Sequence, residues 1–176
     1  MTNDIFNITT LHDLLDHDAR KFSSAEIQLK SILPEWIGVA QSLALKNVLQ
    51  QYAGYVQQNT HNLQQFIDKE QINSLTRINI VMEAFIKEAR EKMSNCTDAE
   101  VKDACLLASV QAINHYKISL YGTAAAFAKA IGDDQYASVF HDAEVKEKEI
   151  DEMLTPLAEK EINFKARAPI VLPGKT

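Results

Sequence analysis

Leu107 to Ile131 reads LASVQAINHYKISLYGTAAAFAKAI, and the spacing of this stretch decides the fold. Stepping by three and four, Leu107, Val110, Asn114, Lys117, Tyr121, Ala124, Ala128 and Ile131 share one helix face. The stripe is apolar except at its centre, where Asn114 and Lys117 stand one turn apart. Three further segments repeat the design. Leu15, Ala19, Phe22, Glu26, Leu29 and Leu33 form one seam, and Leu45, Leu49, Tyr52, Val56, Asn59, Leu63 and Phe66 a second. Tyr136, Phe140, Ala143, Glu147, Ile150, Leu154 and Leu157 form the last, with Asp151 one turn beyond Glu147. Each polar residue falls near the middle of its segment, so four helices side by side bring all of them to one level. One such residue could fix helix register; a whole level of them is a site, or what remains of one.

Local signals mark the boundaries. Thr10, with Asp13 at the third helical position, predicts the first helix start, and Ser42 predicts the second. Pro34 is expected to interrupt the first helix, leaving a bent continuation to Gln41. Residues 70–73 break the pattern. A shorter amphipathic helix is then expected from about Leu75 to Met93, through Ile78, Met82, Phe85 and Ala89. Thr97 with Glu100 reads as a capping box for the longest helix, and Gly132-Asp133 as the stop of that helix and the start of the next. Thr155-Pro156 is a predicted kink. The domain is expected to span residues 1–163, with 164–176 an irregular C-terminal tail marked by Pro169, Pro173 and Gly174.

The composition agrees with an all-α chain of one domain: 176 residues hold only 5 Gly and 4 Pro. A formal charge of −6 with no dense Lys/Arg stripe argues against a nucleic-acid partner. No apolar run approaches the roughly 18 residues of a membrane span, and the acidic N-terminus does not read as a signal peptide, so a cytoplasmic protein is expected. Cys96 and Cys105 lack CxxC spacing and read as reduced thiols, a disulfide staying open.

The first two long helices are joined closely, and so are the last two. Both pairs should be antiparallel hairpins, whereas the middle connection is long enough to carry its own short helix. One long crossover in a four-helix bundle is the ferritin-like arrangement. A ferritin-like two-metal centre takes a Glu from each of two helices and a Glu-x-x-His pair from each of the others. Here the level offers carboxylates at Glu26, Glu147 and Asp151, amides at Asn59 and Asn114, and the ammonium of Lys117. Three negative charges less one positive is half of what two divalent ions require. An ammonium about 4 Å from a divalent ion would be repelled by roughly 8 kcal/mol at an effective dielectric of about 20. Lys117 therefore reads as a built-in cation within a polar core layer. A single metal on Glu26, Glu147 and Asp151 is the second reading, and a complete two-metal oxidase the third.

Other polar residues carry weaker signals. His12, His17, His61 and His141 have no helical His partner and read as surface residues; His115 lies off the polar seam. Tyr52, Tyr55, Tyr116 and Tyr121 read as packing aromatics, and the charged run Glu144–Glu152 as a solvated helix face. No phosphate loop, nucleophile elbow or zinc-finger spacing is present.

Ala25-Glu26 with Gln28-Leu29, Leu33-Pro34, Ser42 with Leu45-Lys46, His115-Tyr116, Ile118, Tyr121-Gly122-Thr123, Glu147-Lys148, Asp151, Leu154-Thr155 and Leu157-Ala158 together resemble the YciE/YciF-type ferritin-like family. These are bacterial proteins associated with stress responses, and the likeness runs from about Leu11 to Asn163. The resemblance implies a ferritin-like bundle, commonly a dimer, with a carboxylate-lined metal centre. Glu26, Glu147 and Asp151 match that pattern by position. The family usually has Glu near Tyr55, His or Gln near Asn59, and Glu at Asn114 and Lys117, so the centre is degraded in this chain.

The expectation is a non-catalytic, ferritin-like structural or interaction protein, with no cofactor, in a stress setting. Its partner is expected to be a second copy, through the short helix and through Cys105, Ala108, Ala112, Ser119, Gly122 and Ala126 on the off-seam face of the longest helix. The alternative is a metal-binding protein, an iron handler or oxidase that uses the remaining carboxylates on iron or another divalent ion. A helical partner-binding module is a weaker third.

Overall fold

Each long helix begins where a side-chain oxygen can take up a backbone N–H that has no partner within the helix. The computed structural model describes residues 7–71 and 78–167. Helix α1 spans Leu11–Val39, α2 Leu43–Lys69, α3 Ile80–Asn95, α4 Ala99–Ala130 and α5 Asp134–Leu157. Thr10 and Asp13 form the expected reciprocal box at the start of α1. Ser42 caps α2 by accepting from the Leu45 N–H, and Asp133 caps α5 by accepting from that of Tyr136. Gly132 precedes Asp133 with a φ of 84°, a conformation that suits glycine at a helix stop.

The cap of α4 differs from expectation. It is Asp98 rather than Thr97, and its carboxylate accepts from both the Glu100 and Val101 N–H groups at 2.9 Å. A carboxylate takes two donors and also suits the positive helix end, which a hydroxyl one residue earlier cannot match. Pro34 does not interrupt α1, which continues to Val39. Pro34 and Lys30, the residue whose carbonyl loses its helical donor, both face solvent, while Leu33, Trp36 and Ala40 are buried and hold the segment in place.

The α3 helix starts later than expected. Asn79 caps it, Ile78 is 66% exposed rather than on a buried seam, and Leu75 lies outside the described residues. Beyond Pro156 the chain does not turn irregular at 164. A π-helical turn, Ala158–Ile162, leads into a short helix α6, Asn163–Ala166. Burial of Ala158 and Ile162 and an ion pair between Glu161 and Lys165 accompany this extension. Two seam ends also differ: Ile131 is exposed and Leu157 half-buried.

Packing fixes the topology. One apolar cluster joins the C-terminal half of α1, the N-terminal halves of α2 and α4, and the end of α5. The other joins the N-terminal half of α1, the C-terminal ends of α2 and α4, and the start of α5. Helices α2 and α4 therefore run in the same direction, and their connection must travel back along the bundle. Helix α3 makes that return over α1 and α4. The protein is an all-α four-helix bundle with one long crossover holding an additional short helix, and no strand occurs among the described residues. No helix among them is long and apolar enough to cross a membrane.

Two buried polar residues tie connections to this frame. Asp103 of α4, 4% exposed, accepts the Gln41 and Ser42 N–H groups of the α1–α2 turn at 2.9 and 2.7 Å. Asn79 donates to the Lys21 carbonyl at 3.0 Å, and its own N–H is held by the Ser24 hydroxyl at 2.9 Å. Removing the Asp103 carboxylate strands two donors of the turn, so Asp103→Ala should cost about 2–3 kcal/mol. Urea unfolding checks this: the midpoint should fall with an unchanged slope, and a shift as small as that of an exposed surface substitution would contradict the role.

Candidate functional site

Between the two apolar clusters the bundle carries a polar layer built from the centres of all four long helices. Glu26 comes from α1, Asn59 from α2, Asn114 and Lys117 from α4 and Glu147 from α5, and all five are buried. The Lys117 ammonium lies 2.9 Å from Glu26 Oε1 and 2.5 Å from Glu147 Oε1, with the lysine side chain 1% exposed. It also donates to the Tyr52 hydroxyl at 3.4 Å and lies 4.9 and 5.6 Å from the ring centres of Tyr52 and Tyr55. Carboxylates on two sides and the negative faces of two aromatic rings replace the water that the charge has given up.

The carboxylates are held in turn. Glu147 Oε2 accepts from the Tyr52 hydroxyl at 2.7 Å and from Asn114 Nδ2 at 2.7 Å, and the same amide nitrogen reaches the Glu147 carbonyl at 2.9 Å. Glu26 Oε1 accepts from Asn59 Nδ2 at 3.0 Å and takes a very short hydrogen bond from the Tyr121 hydroxyl. Asn59 Nδ2 also donates to the Tyr121 oxygen at 2.6 Å, so one amide spans both members of that pair. Tyr55 belongs to the edge of the layer, its hydroxyl donating to the Ala143 carbonyl at 2.9 Å.

The electrostatics follow from burial and from these neighbours. Burial alone would pull the Lys117 ammonium down, but Glu147 and Glu26 outweigh it and hold the group above its ordinary value. Burial pushes the Glu147 carboxyl up, with Lys117 acting against the shift and Glu26 adding to it. The Tyr52 and Tyr121 hydroxyls are held well above the usual tyrosine range, first by burial and then by the carboxylates beside them. Tyr55 is raised for the same reasons.

The arrangement gathers four expected positions around Lys117 and leaves one out. Asp151, expected to share the layer, is a quarter exposed, and its carboxylate lies 3.0 Å from Nε2 of the exposed His115 and 3.4 Å from the Thr155 hydroxyl. One turn beyond Glu147 the helix has rotated about 40° past a full circle, enough to aim the side chain at the rim of α4. Among the described residues no three His, Cys, Asp or Glu side chains converge where they could hold a metal ion. The residues present do not fit a two-metal carboxylate centre, because the one strong cation of the layer sits between the two carboxylates that would have to bind it. Glu26 Oε2 and Asn114 Oδ1 are buried acceptors without a hydrogen-bond partner.

Some participants are not legible from polarity alone. Tyr52 and Tyr121 read as packing aromatics, yet their hydroxyls complete the layer. The available signal was their register: Tyr52 lies seven residues before Asn59, and Tyr121 four after Lys117. His17, expected at the surface, is largely buried, with Nδ1 3.2 Å from Asp18 Oδ1. On the off-seam face of α4, Cys105, Ala108 and Ala112 line a groove with α3, and Gly122 lies under the Glu144 carboxylate.

Comparison with known proteins covers nearly the whole described chain. The model of a family described as "Domain of unknown function (DUF892)" matches residues 10–167. Protein YciF of Escherichia coli strain K12 is 30% identical over 161 residues, which are 91% of this chain and 97% of that protein. The crystal structure of the Escherichia coli stress protein YciF superposes with a TM-score of 0.81 at 28% identity, covering 89% of this chain and 99% of that one. A protein described as YcfI, a putative structural protein from Rhodopseudomonas palustris, gives the same TM-score and identity over 88% of this chain and 98% of its own. With the bundle, its single crossover and this length of sequence shared, the chain belongs to the YciF-type family that the DUF892 model describes.

Proposed function

We propose that this chain is a non-catalytic, ferritin-like structural or interaction protein in which Lys117 takes the place that metal holds in carboxylate-centred bundles. The observation that carries the reading is the Lys117 ammonium at 2.9 and 2.5 Å from Glu26 and Glu147. A cation supplied by the chain is always present and cannot change oxidation state, so the layer serves alignment of the helices rather than turnover. A stress setting draws on the description of YciF, and a structural role accords with the description of the Rhodopseudomonas palustris protein. The working partner in this reading is a second copy in the cytoplasm. Ala108, Ala112, Ser119 and Ala126 form an exposed small-residue stripe on α4 that would permit close approach of a helix.

The second reading is a metal-binding protein, an iron handler or oxidase, using Glu26 and Glu147. The two buried acceptors without partners, Glu26 Oε2 and Asn114 Oδ1, favour it. It requires Lys117 to leave its place between the carboxylates.

Metal content per chain separates the readings. Protein purified without chelator and offered ferrous iron should retain almost none by elemental analysis, and Asn114→Glu/Lys117→Glu should gain iron that wild type lacks. Two irons per wild-type chain, or catalytic oxidation of ferrous iron, would overturn the proposal.

Lys117→Met leaves two buried carboxylates facing each other with no counter-charge. It should destabilise the fold by about 3–5 kcal/mol near neutral pH, and part of that loss should return in mild acid as a carboxylate takes up a proton. A urea midpoint that does not depend on Lys117 would place the ammonium outside the layer in solution.

The raised tyrosines give a third test, whose sign is fixed by linkage. The unfolded chain releases its tyrosine protons near pH ~10, before the folded chain does. Stability is therefore complete below that pH and falls as pH rises above it. Of the five tyrosines, Tyr52, Tyr55 and Tyr121 should ionise only together with loss of helix. Following tyrosinate absorbance and circular dichroism in one alkaline titration checks this; full ionisation of a still-folded chain would refute it.

A further inference from the structure

The polar layer holds an oxidisable group that alignment of the helices does not use. Tyr121, 1% exposed, donates its hydroxyl to Glu26 Oε1, and Asn59 Nδ2 donates to the same phenol oxygen at 2.6 Å. A phenol gives up an electron readily only when a base within hydrogen-bond reach can take its proton, because the cation radical is a strong acid. The Tyr55 hydroxyl donates to the Ala143 carbonyl at 2.9 Å and that of Tyr116 to the Asn79 side-chain carbonyl at 3.2 Å. Both acceptors are amide carbonyls, which do not take up protons. The Trp36 indole N–H is buried without an acceptor. Tyr52 does face a carboxylate, Glu147 Oε2 at 2.7 Å, but the Lys117 ammonium lies 3.4 Å from its oxygen and 4.9 Å from its ring centre. That positive charge is attracted to the ring only while the ring keeps its electrons. Charge balance points the same way. Two carboxylates and one ammonium leave the layer with one negative charge in excess inside an apolar core.

We propose that Tyr121 is an electron donor that quenches one small oxidising radical per chain, its proton passing to Glu26. The Tyr121 O–H bond breaks, a Glu26 O–H bond forms, and one electron leaves for the oxidant; an azide radical, for instance, becomes azide ion. The excess charge of the layer is then gone. Glu26 is a neutral acid, Tyr121 a neutral radical, and Glu147 keeps Lys117 at 2.5 Å as its counter-ion. The Asn59 amide still donates to the phenol oxygen, and burial keeps a second radical from coupling with the ring. The core lies behind one helix diameter of protein, roughly 10–12 Å, which an electron crosses by tunnelling, so the oxidant need not enter. A one-electron reductant restores the phenol as the proton returns from Glu26. The step goes beyond alignment of the helices and uses no metal.

The experiment uses the full chain. Azide radicals made by pulse radiolysis oxidise the wild-type protein, and optical, electron paramagnetic resonance and infrared difference spectra follow the product. The expected product is a neutral tyrosyl radical that outlives the one formed on free tyrosine. A carboxylic acid carbonyl band should grow in with it as a carboxylate band is lost. Tyr121→Phe should remove both signals, whereas Tyr52→Phe and Tyr116→Phe should keep them. Tyr121→Phe deletes a single oxygen and leaves Glu26 bonded to Asn59 and Lys117, so its circular dichroism should match that of wild type. A persistent radical in Tyr121→Phe, a wild-type radical with no carboxylic acid band, or chains linked through dityrosine in place of a lasting radical would each overturn the proposal.

Discussion

A lysine ammonium between two buried glutamates is the constraint around which this bundle is arranged. Placing three charges in the centre of an apolar core is expensive unless each finds a partner. The surrounding residues meet that demand helix by helix: Tyr52 and Asn114 for Glu147, Tyr121 and Asn59 for Glu26. The layer divides the core into two apolar halves that differ in character. One is rich in Leu and Ile; the other packs Phe22, Phe66, Tyr121, Tyr136 and Phe140 in tilted and edge-to-face contacts. Sliding α1, α4 or α5 by one turn would push a charge into one of those halves, and sliding α2 would do the same with the Asn59 amide, so the layer sets register where apolar packing alone would tolerate several alignments.

The family's fold and the polar layer can be separated in origin. The bundle depends on the four seams, the caps and the crossover, and it superposes on the crystal structure of YciF over 89% of this chain. The centre depends on a few positions inside the seams. Lys117 occupies one of those positions, and its ammonium lies between Glu26 and Glu147 while the seams and caps that build the bundle are untouched by it.

What could be read from sequence follows from which quantities are periodic. The four seams and their polar midpoints were legible because helical spacing is a property of one segment at a time, and Glu26, Asn59, Asn114, Lys117 and Glu147 all lie where that spacing places them. Asp151 was misplaced because one turn is not a whole rotation, and the small angular excess moved it to the rim beside His115. Asp103 and Asn79 escaped notice for another reason. The Asp103 and Asn79 side chains bond to backbone N–H groups and a carbonyl more than fifty residues away, which carry no side-chain signature.

Because α2 and α4 run parallel, the chain has two kinds of contact. The α1–α2 and α4–α5 pairs are joined by short links and can form from local segments, whereas joining one pair to the other requires a long closure through α3. Lys117 takes part in both kinds of contact. Its bond to Glu147 lies within the α4–α5 hairpin and its bond to Glu26 crosses to the other. The lysine thus holds one carboxylate within its own hairpin and one across the bundle, an electrostatic latch between the two halves of the molecule.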